Sequence, residues 1–167
     1  MTGRRTRYRA GDFVGFPLPS GGWGYGRVLP KLMAFYGLRT THLASVDDVC
    51  GSSILFRVAV RVPAISQDRW PIIGHRPLEL ELQDDVKFFR RNPSGAGFLV
   101  YVSRTQPRNA YQEREASVEE CMGLEPLLVW EPAQMEQRVD DHFQHRENVH
   151  LTHYMGELKT RDTRVLN

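Results

Sequence analysis

At 167 residues, 41% of them hydrophobic, the chain is long enough for one compact domain with a real core and short for two. Its 22 Lys+Arg against 20 Asp+Glu leave a formal net charge of +2, too small for the overall attraction expected of a dedicated nucleic-acid binder, so a charged partner must be met by local patches. The two cysteines, Cys50 and Cys121, lie far apart, form no CxxC pair, and are too few for a disulfide scaffold or a structural zinc site, which points to a reducing, cytoplasmic setting.

The N-terminal stretch MTGRRTRYRAGDF reads as a flexible basic arm over residues 1–10, with Arg4, Arg5, Arg7 and Arg9, and no apolar signal region follows it. No later run reaches the roughly 18 to 20 apolar residues of a membrane span, so a single domain over 1–167 is expected, neither membrane-inserted nor secreted by that route. DFVGFPLP then closes on two prolines, SGG turns the chain, and WGYGRVL resumes in extended style, giving a hairpin over residues 12–29. In ILFRVAVRV, alternation places Ile54, Phe56, Val58, Val60 and Val62 on one face and Arg57 and Arg61 on the other. PLELEL repeats the pattern, with Leu78, Leu80 and Leu82 opposed to Glu79 and Glu81, and predicts another half-buried strand.

VKFFRR and FLVYVS flank the turn NPSGAG and predict a second hairpin, whereas residues 104–116 are polar without a period and read as a surface connector. Ser117 and Glu120 have capping-box spacing for a short helix ended by Gly123. After the apolar run LEPLLVW, Pro132 opens a longer helix whose apolar stripe is Met135, Val139 and Phe143. Together the elements predict an α+β protein: a twisted, mainly antiparallel sheet, open or closed into a barrel, with a short helix near 118–122 and a longer one near 132–145.

Few patterns carry chemistry. The glycines at 22, 24 and 26 suggest a phosphate cradle, but such a loop must open a helix, and here RVLP continues as strand without a Lys-Ser/Thr ending. In an extended segment Trp23, Tyr25 and Arg27 share one face, which either caps a β core or presents an aromatic and arginine patch to a protein or to stacked bases. His142, His145, His150 and His153 crowd the C-terminal region beside Asp140 and Asp141, yet no HExxH or Cys/His framework accompanies them, and a solvated helix end is expected there rather than a metal site. Neither cysteine has a local histidine, and Asp47, Asp48, Glu119 and Glu120 would raise the thiol pKa values. No enzyme motif stands, and no cofactor is called for. Acidic stretches at 79–85, 113–120 and 136–141 are solvated faces or a surface that meets a basic partner. The candidate partner-binding residues are therefore Trp23, Tyr25, Arg27, Glu79, Glu81, Asp84 and Asp85.

The order GDFVGFPLPSGGWGYGRVL, SSILFRVAV, DRWPIIGHRPLELEL resembles the immunity protein 26 family of bacterial polymorphic toxin systems. The resemblance is carried by Gly11, Asp12, Pro17, Leu18, Gly24, Tyr25, Gly26, Val28 and Leu29, and by Trp70, Pro71, Ile73, Gly74, Pro77 and Leu78. It implies an α+β protein without catalysis that binds and blocks a toxin encoded beside it. It carries over no catalytic or toxin-binding residue set. The segment LPKLMAFYGLRTTHLASVDDV and the chain after about Leu82 fall outside the resemblance, and partner specificity is expected there. A nuclease is the leading toxin class, since acidic patches suit a basic nuclease surface. The alternative reading is a small β-barrel nucleic-acid module, with RRTRYR on phosphates and Trp23 or Tyr25 stacking on bases.

Overall fold

The structure, a computed structural model, describes residues 7–61, 63–103 and 112–162. Residues 1–6 of the expected arm, Val62 of the expected strand and 104–111 of the expected connector lie outside the described residues. In chain order the elements are β1 (Asp12–Pro17), β2 (Trp23–Val28), β3 (Met33–Tyr36), α1 (Val46–Cys50), β4 (Ile54–Val60), α2 (Pro63–Ser66) and β5 (Ile72–His75). A 3-10 turn at Leu80–Gln83 precedes β6 (Val86–Arg91), β7 (Phe98–Ser103), β8 (Gln112–Ala116), α3 (Val118–Cys121), β9 (Glu125–Pro126), β10 (Val129–Trp130), α4 (Pro132–Phe143) and α5 (Val149–Asp162). The chain divides into two compact units, residues 1–83 with 129–146 and residues 84–128 with 147–167. The fold is α+β with mostly antiparallel sheets, as the alternating patterns predict, and neither sheet closes into a barrel.

The first unit is built on a six-stranded sheet of order β10-β4-β3-β2-β1-β5, antiparallel except for β10 beside β4. Its first hairpin turns where Gly21 and Gly22 adopt φ of +98° and +82°, a region closed to most side chains. In the return strand Gly24 faces Phe16, and a Cβ there would stand 2.6 Å from that ring. The bare side of β2 thus receives aromatic packing, with Phe16 and Trp70 ring centroids 4.9 Å apart and Phe35 and Phe56 5.4 Å apart. α4 begins at Pro132 as expected and buries Met135 and Val139 completely. From the same helix Glu136 accepts from Trp70 Nε1 at 2.7 Å, and the Arg138 guanidinium lies 3.8 Å from the Phe56 ring centre. The opposite face of the sheet is also covered, by a cluster of Phe13, Tyr25, Ala34, Tyr36, Val49 and Leu82.

Two expectations in this unit are corrected. PLELEL is not a strand: it bends into the 3-10 turn, with Leu82 buried and Leu80 82% exposed. The carbonyls of Arg76 and Pro77 are taken by the Arg27 guanidinium instead of a ladder partner, and Pro77 has no N–H to offer one. In β4 the single-face alternation breaks: a register shift pairs Phe56 with Phe35 but Ile54 with Tyr36, so Ile54 joins the face that carries Arg57.

The second unit holds a four-stranded sheet of order β8-β7-β6-β9, in which β6 and β7 form the predicted hairpin and Gly97 closes its turn at φ +99°. Phe89, Phe98, Val100, Cys121 and Leu158 form its core, with α3 and α5 contributing the last two. The Ser117–Glu120 capping box forms as predicted, and Gly123 follows at φ +82°. Residues 112–116, expected as connector, are instead strand β8, paired with β7 and tied to β6 by a two-pronged Arg90–Glu113 ion pair at 2.5 and 2.8 Å. Helix α5 was not predicted; its start is marked by Asn148, whose Oδ1 accepts from Leu151 N at 3.0 Å. No described helix is long and apolar enough to cross a membrane.

Candidate functional site

β2 places Trp23, Tyr25 and Arg27 on one face, as its alternation requires, but that face is interior because α1 and the segment around Leu78–Leu82 pack over it. Tyr25 is fully buried, and its hydroxyl accepts from Ala44 N at 2.8 Å and donates to His42 O at 3.2 Å. It pins the loop that follows β3. Trp23 is half-buried and bonded through its backbone to Thr40.

Arg27 is 1% exposed, with its guanidinium carbon 4.4 Å from the Phe13 ring centre. Nη1 donates to Glu79 Oε2 at 2.5 Å, and Nη2 donates to the carbonyls of Arg76 at 3.0 Å and Pro77 at 2.7 Å. A buried guanidinium is tolerable only when so engaged. These bonds hold the Arg76–Glu79 segment in place and form one side of a cleft of about 550 Å³, floored by Arg27 and Tyr36. Its walls include Ile54, Leu55 and Leu82, and its polar lining adds Arg57, Glu79 and Glu81, while the Phe56 ring points to the other face of the sheet, against Phe35 and Arg138.

The groups in this cleft are tuned by their surroundings. Burial works to raise the Glu79 pKa, but its own backbone N–H and the bonded Arg27 outweigh burial and hold the carboxyl below the ordinary 4.5. Burial pushes the Tyr36 hydroxyl above its ordinary 10.0, against the lowering effect of Arg27. Burial likewise raises the Cys50 thiol, so it stays protonated near neutral pH. With a protonated thiol and no histidine among its described lining residues, the cleft presents a binding surface of carboxylates, guanidinium and apolar walls.

Of the seven residues singled out in the sequence, the structure brings Arg27, Glu79 and Glu81 together at this cleft. Tyr25 serves the core, Trp23 sits over Gly15 beside Leu43, and the exposed Asp84 and Asp85 open the second unit. Tyr36, Ile54 and Arg57 were missed as site residues. Only the register shift in β4 puts Ile54 there, and no residue pattern announces it. Among the described residues no three of His, Cys, Asp or Glu are grouped to hold a metal ion. His142 lies at the exposed end of α4, His145 follows it at φ +53°, and His150 and His153 belong to α5.

The residues that carried the sequence resemblance have structural work. Asp12 is 6% exposed, bonded to His75 Nδ1 at 2.8 Å and to the Arg9 N–H at 2.8 Å. Trp70 is 1% exposed, Gly74 packs against Val46, and the carbonyls of Pro71 and Pro77 accept from Gly15 N and Arg27. Comparison with known proteins agrees with this concentration in the first unit. No curated protein and no solved structure gives a significant match. A family model described as Immunity protein 26 matches residues 9–98, just over half of the 167-residue chain, and it spans the framework from Asp12 through Arg27 to Pro77. The chain belongs to the Immunity protein 26 family.

Proposed function

We propose that this chain is a non-enzymatic immunity protein that binds a cognate protein toxin and blocks it by covering the toxin's active surface. The observation that carries this reading is the family match over residues 9–98. The cleft supports it, since its exposed carboxylates and apolar walls suit recognition of a protein better than chemistry on a small substrate. In this reading the whole of 1–167 serves as one immunity domain in the cytoplasm, and the toxin is encoded nearby. A basic nuclease is the favoured toxin class, because Glu79, Glu81, Asp84 and Asp85 are all exposed.

The test is co-expression with the product of the neighbouring gene. Protection of the cells and co-elution of the two chains on a sizing column are expected; unprotected cells with no complex would sink the reading. The nucleic-acid alternative loses one of its two stacking residues, since Tyr25 is 0% exposed with its hydroxyl engaged. Binding to single-stranded oligonucleotides that weakens steeply with salt would revive it.

A further inference from the structure

Ile54 opens β4, yet the register shift against Phe35 and Tyr36 takes it out of line with Phe56 and sets it opposite Tyr36. It therefore lines the cleft and remains 41% exposed. Bulges recur where a side chain is re-aimed. Next to the cleft, Leu80 is 82% exposed between Glu79 and Glu81. Apolar surface held in water costs about 25 cal/mol per Å², which a partner that covers it recovers.

The charges at the cleft are balanced from within. Glu79 is paired with Arg27, and Arg57 donates to the Glu81 carbonyl at 3.2 Å, which keeps a guanidinium beside that residue too. Two carboxylates and two guanidiniums offer no net preference for a cation or an anion, so the apolar walls decide the occupant. A volume of about 550 Å³ lies within the usual range for ligand pockets and admits a large ring. Aromatic side chains seated in apolar pockets and ringed by polar groups are the common anchors of protein interfaces.

We propose that this cleft is the socket for an aromatic side chain of the toxin, with the ring seated against Ile54 and Leu82 over the Arg27–Tyr36 floor and with Glu79, Arg57 and Glu81 as its polar rim. The proposal rests on the toxin-binding reading and names the anchor within it.

One test needs no toxin. Indole, methylguanidinium and acetate are titrated separately into the full chain while the methyl resonances of Ile54 and Leu82 are followed. Indole is expected to shift them saturably and the two ions are not; a larger response to either ion, or none to indole, overturns the proposal. In the second test Ile54→Glu and Ile54→Lys are compared for binding to the neighbouring gene's product, with unfolding midpoints confirming that both fold. Both are expected to weaken binding about tenfold or more, because either charge spoils an apolar socket. Tighter binding by one variant identifies a charged occupant, and unchanged binding by both removes the cleft from the interface; each result overturns the proposal. If the wild-type chain forms no complex at all, the toxin-binding reading fails, while the indole titration still reports on the socket itself.

Discussion

In the first unit the sheet is covered on both faces and carries charge inside: Arg27 is 1%, Asp140 0% and Glu136 7% exposed. In the second unit, around the core of Phe89, Phe98, Val100, Cys121 and Leu158, no charged side chain is buried among the described residues, and the ion pairs Arg90–Glu113 and Arg114–Glu120 stay at the surface. Both sheets arise from similar period-two sequence, so the difference comes from what lies on top of them. A sheet with one wet face leaves its charges in water, whereas a sheet closed in on both sides must hydrogen-bond every polar group it retains. The first unit meets most of that demand by tying buried side chains to distant backbone, Arg27 to the Arg76–Pro77 carbonyls and Tyr25 to the His42–Ala44 segment, although Arg27 Nε is buried with no hydrogen-bond partner among the described residues. Buried Arg27 there acts as a strut that holds the Arg76–Glu79 segment along the cleft.

The contrast is broken most directly by Arg27→Ala, which strips donors from two carbonyls and the partner from Glu79. It is expected to cost about 3–5 kcal/mol, read from the midpoint of urea unfolding. Phe98→Ala is the matching change in the second unit; it empties an apolar site in edge-on contact with Phe89, at centroid distance 6.2 Å, and is expected to cost about 3–5 kcal/mol by cavity formation alone. The two differ in rescue: methionine should restore much of the loss at position 98 and much less at position 27, where no apolar side chain can satisfy the stranded carbonyls. A smaller effect, about 1–3 kcal/mol, is expected for Glu136→Ala, which leaves Trp70 Nε1 buried without an acceptor. Glu136→Gln keeps an acceptor oxygen and should recover most of that loss in the same unfolding series.

The smallest expected effect is on pH dependence. Because the folded-state pKa of Glu79 lies below 4.5, its contribution is fully present above that value and is lost as pH falls through the lower folded value. Glu79→Gln should therefore flatten the acid limb of a stability-against-pH curve and leave the neutral plateau nearly level. An acid limb unchanged by the substitution would show that Arg27 is held by its two carbonyls alone.

Much of the scaffold is legible in the residues. The hairpins, the Ser117–Glu120 box and the Pro132 helix each follow from a local rule about φ, capping or alternation, and each forms where the residues place it. β8 was missed because an edge strand with Glu113, Arg114 and Glu115 in it has no apolar alternation to read, and α5 because its apolar residues do not settle on one stripe. Glu79 and Glu81 were legible as exposed acids, but Tyr36, Ile54 and Arg57 were not legible as their neighbours. Residues that meet across a cleft from different strands leave no mark in linear spacing.

By itself, the sequence determined the α+β class, the antiparallel hairpins and the family, because these rest on period, turn chemistry and a motif whose glycines, tryptophan and prolines have one workable packing. The tertiary structure alone decided that Tyr25 and Arg27 face inward and that PLELEL bends instead of pairing. It also decided that Ile54 is turned toward a cleft. The physical reason is common to all three: burial and hydrogen-bond satisfaction depend on what covers a strand, and in this chain the covering segments arrive from residues tens of positions away, α1 and Leu82 over one face of the first sheet and α4 over the other.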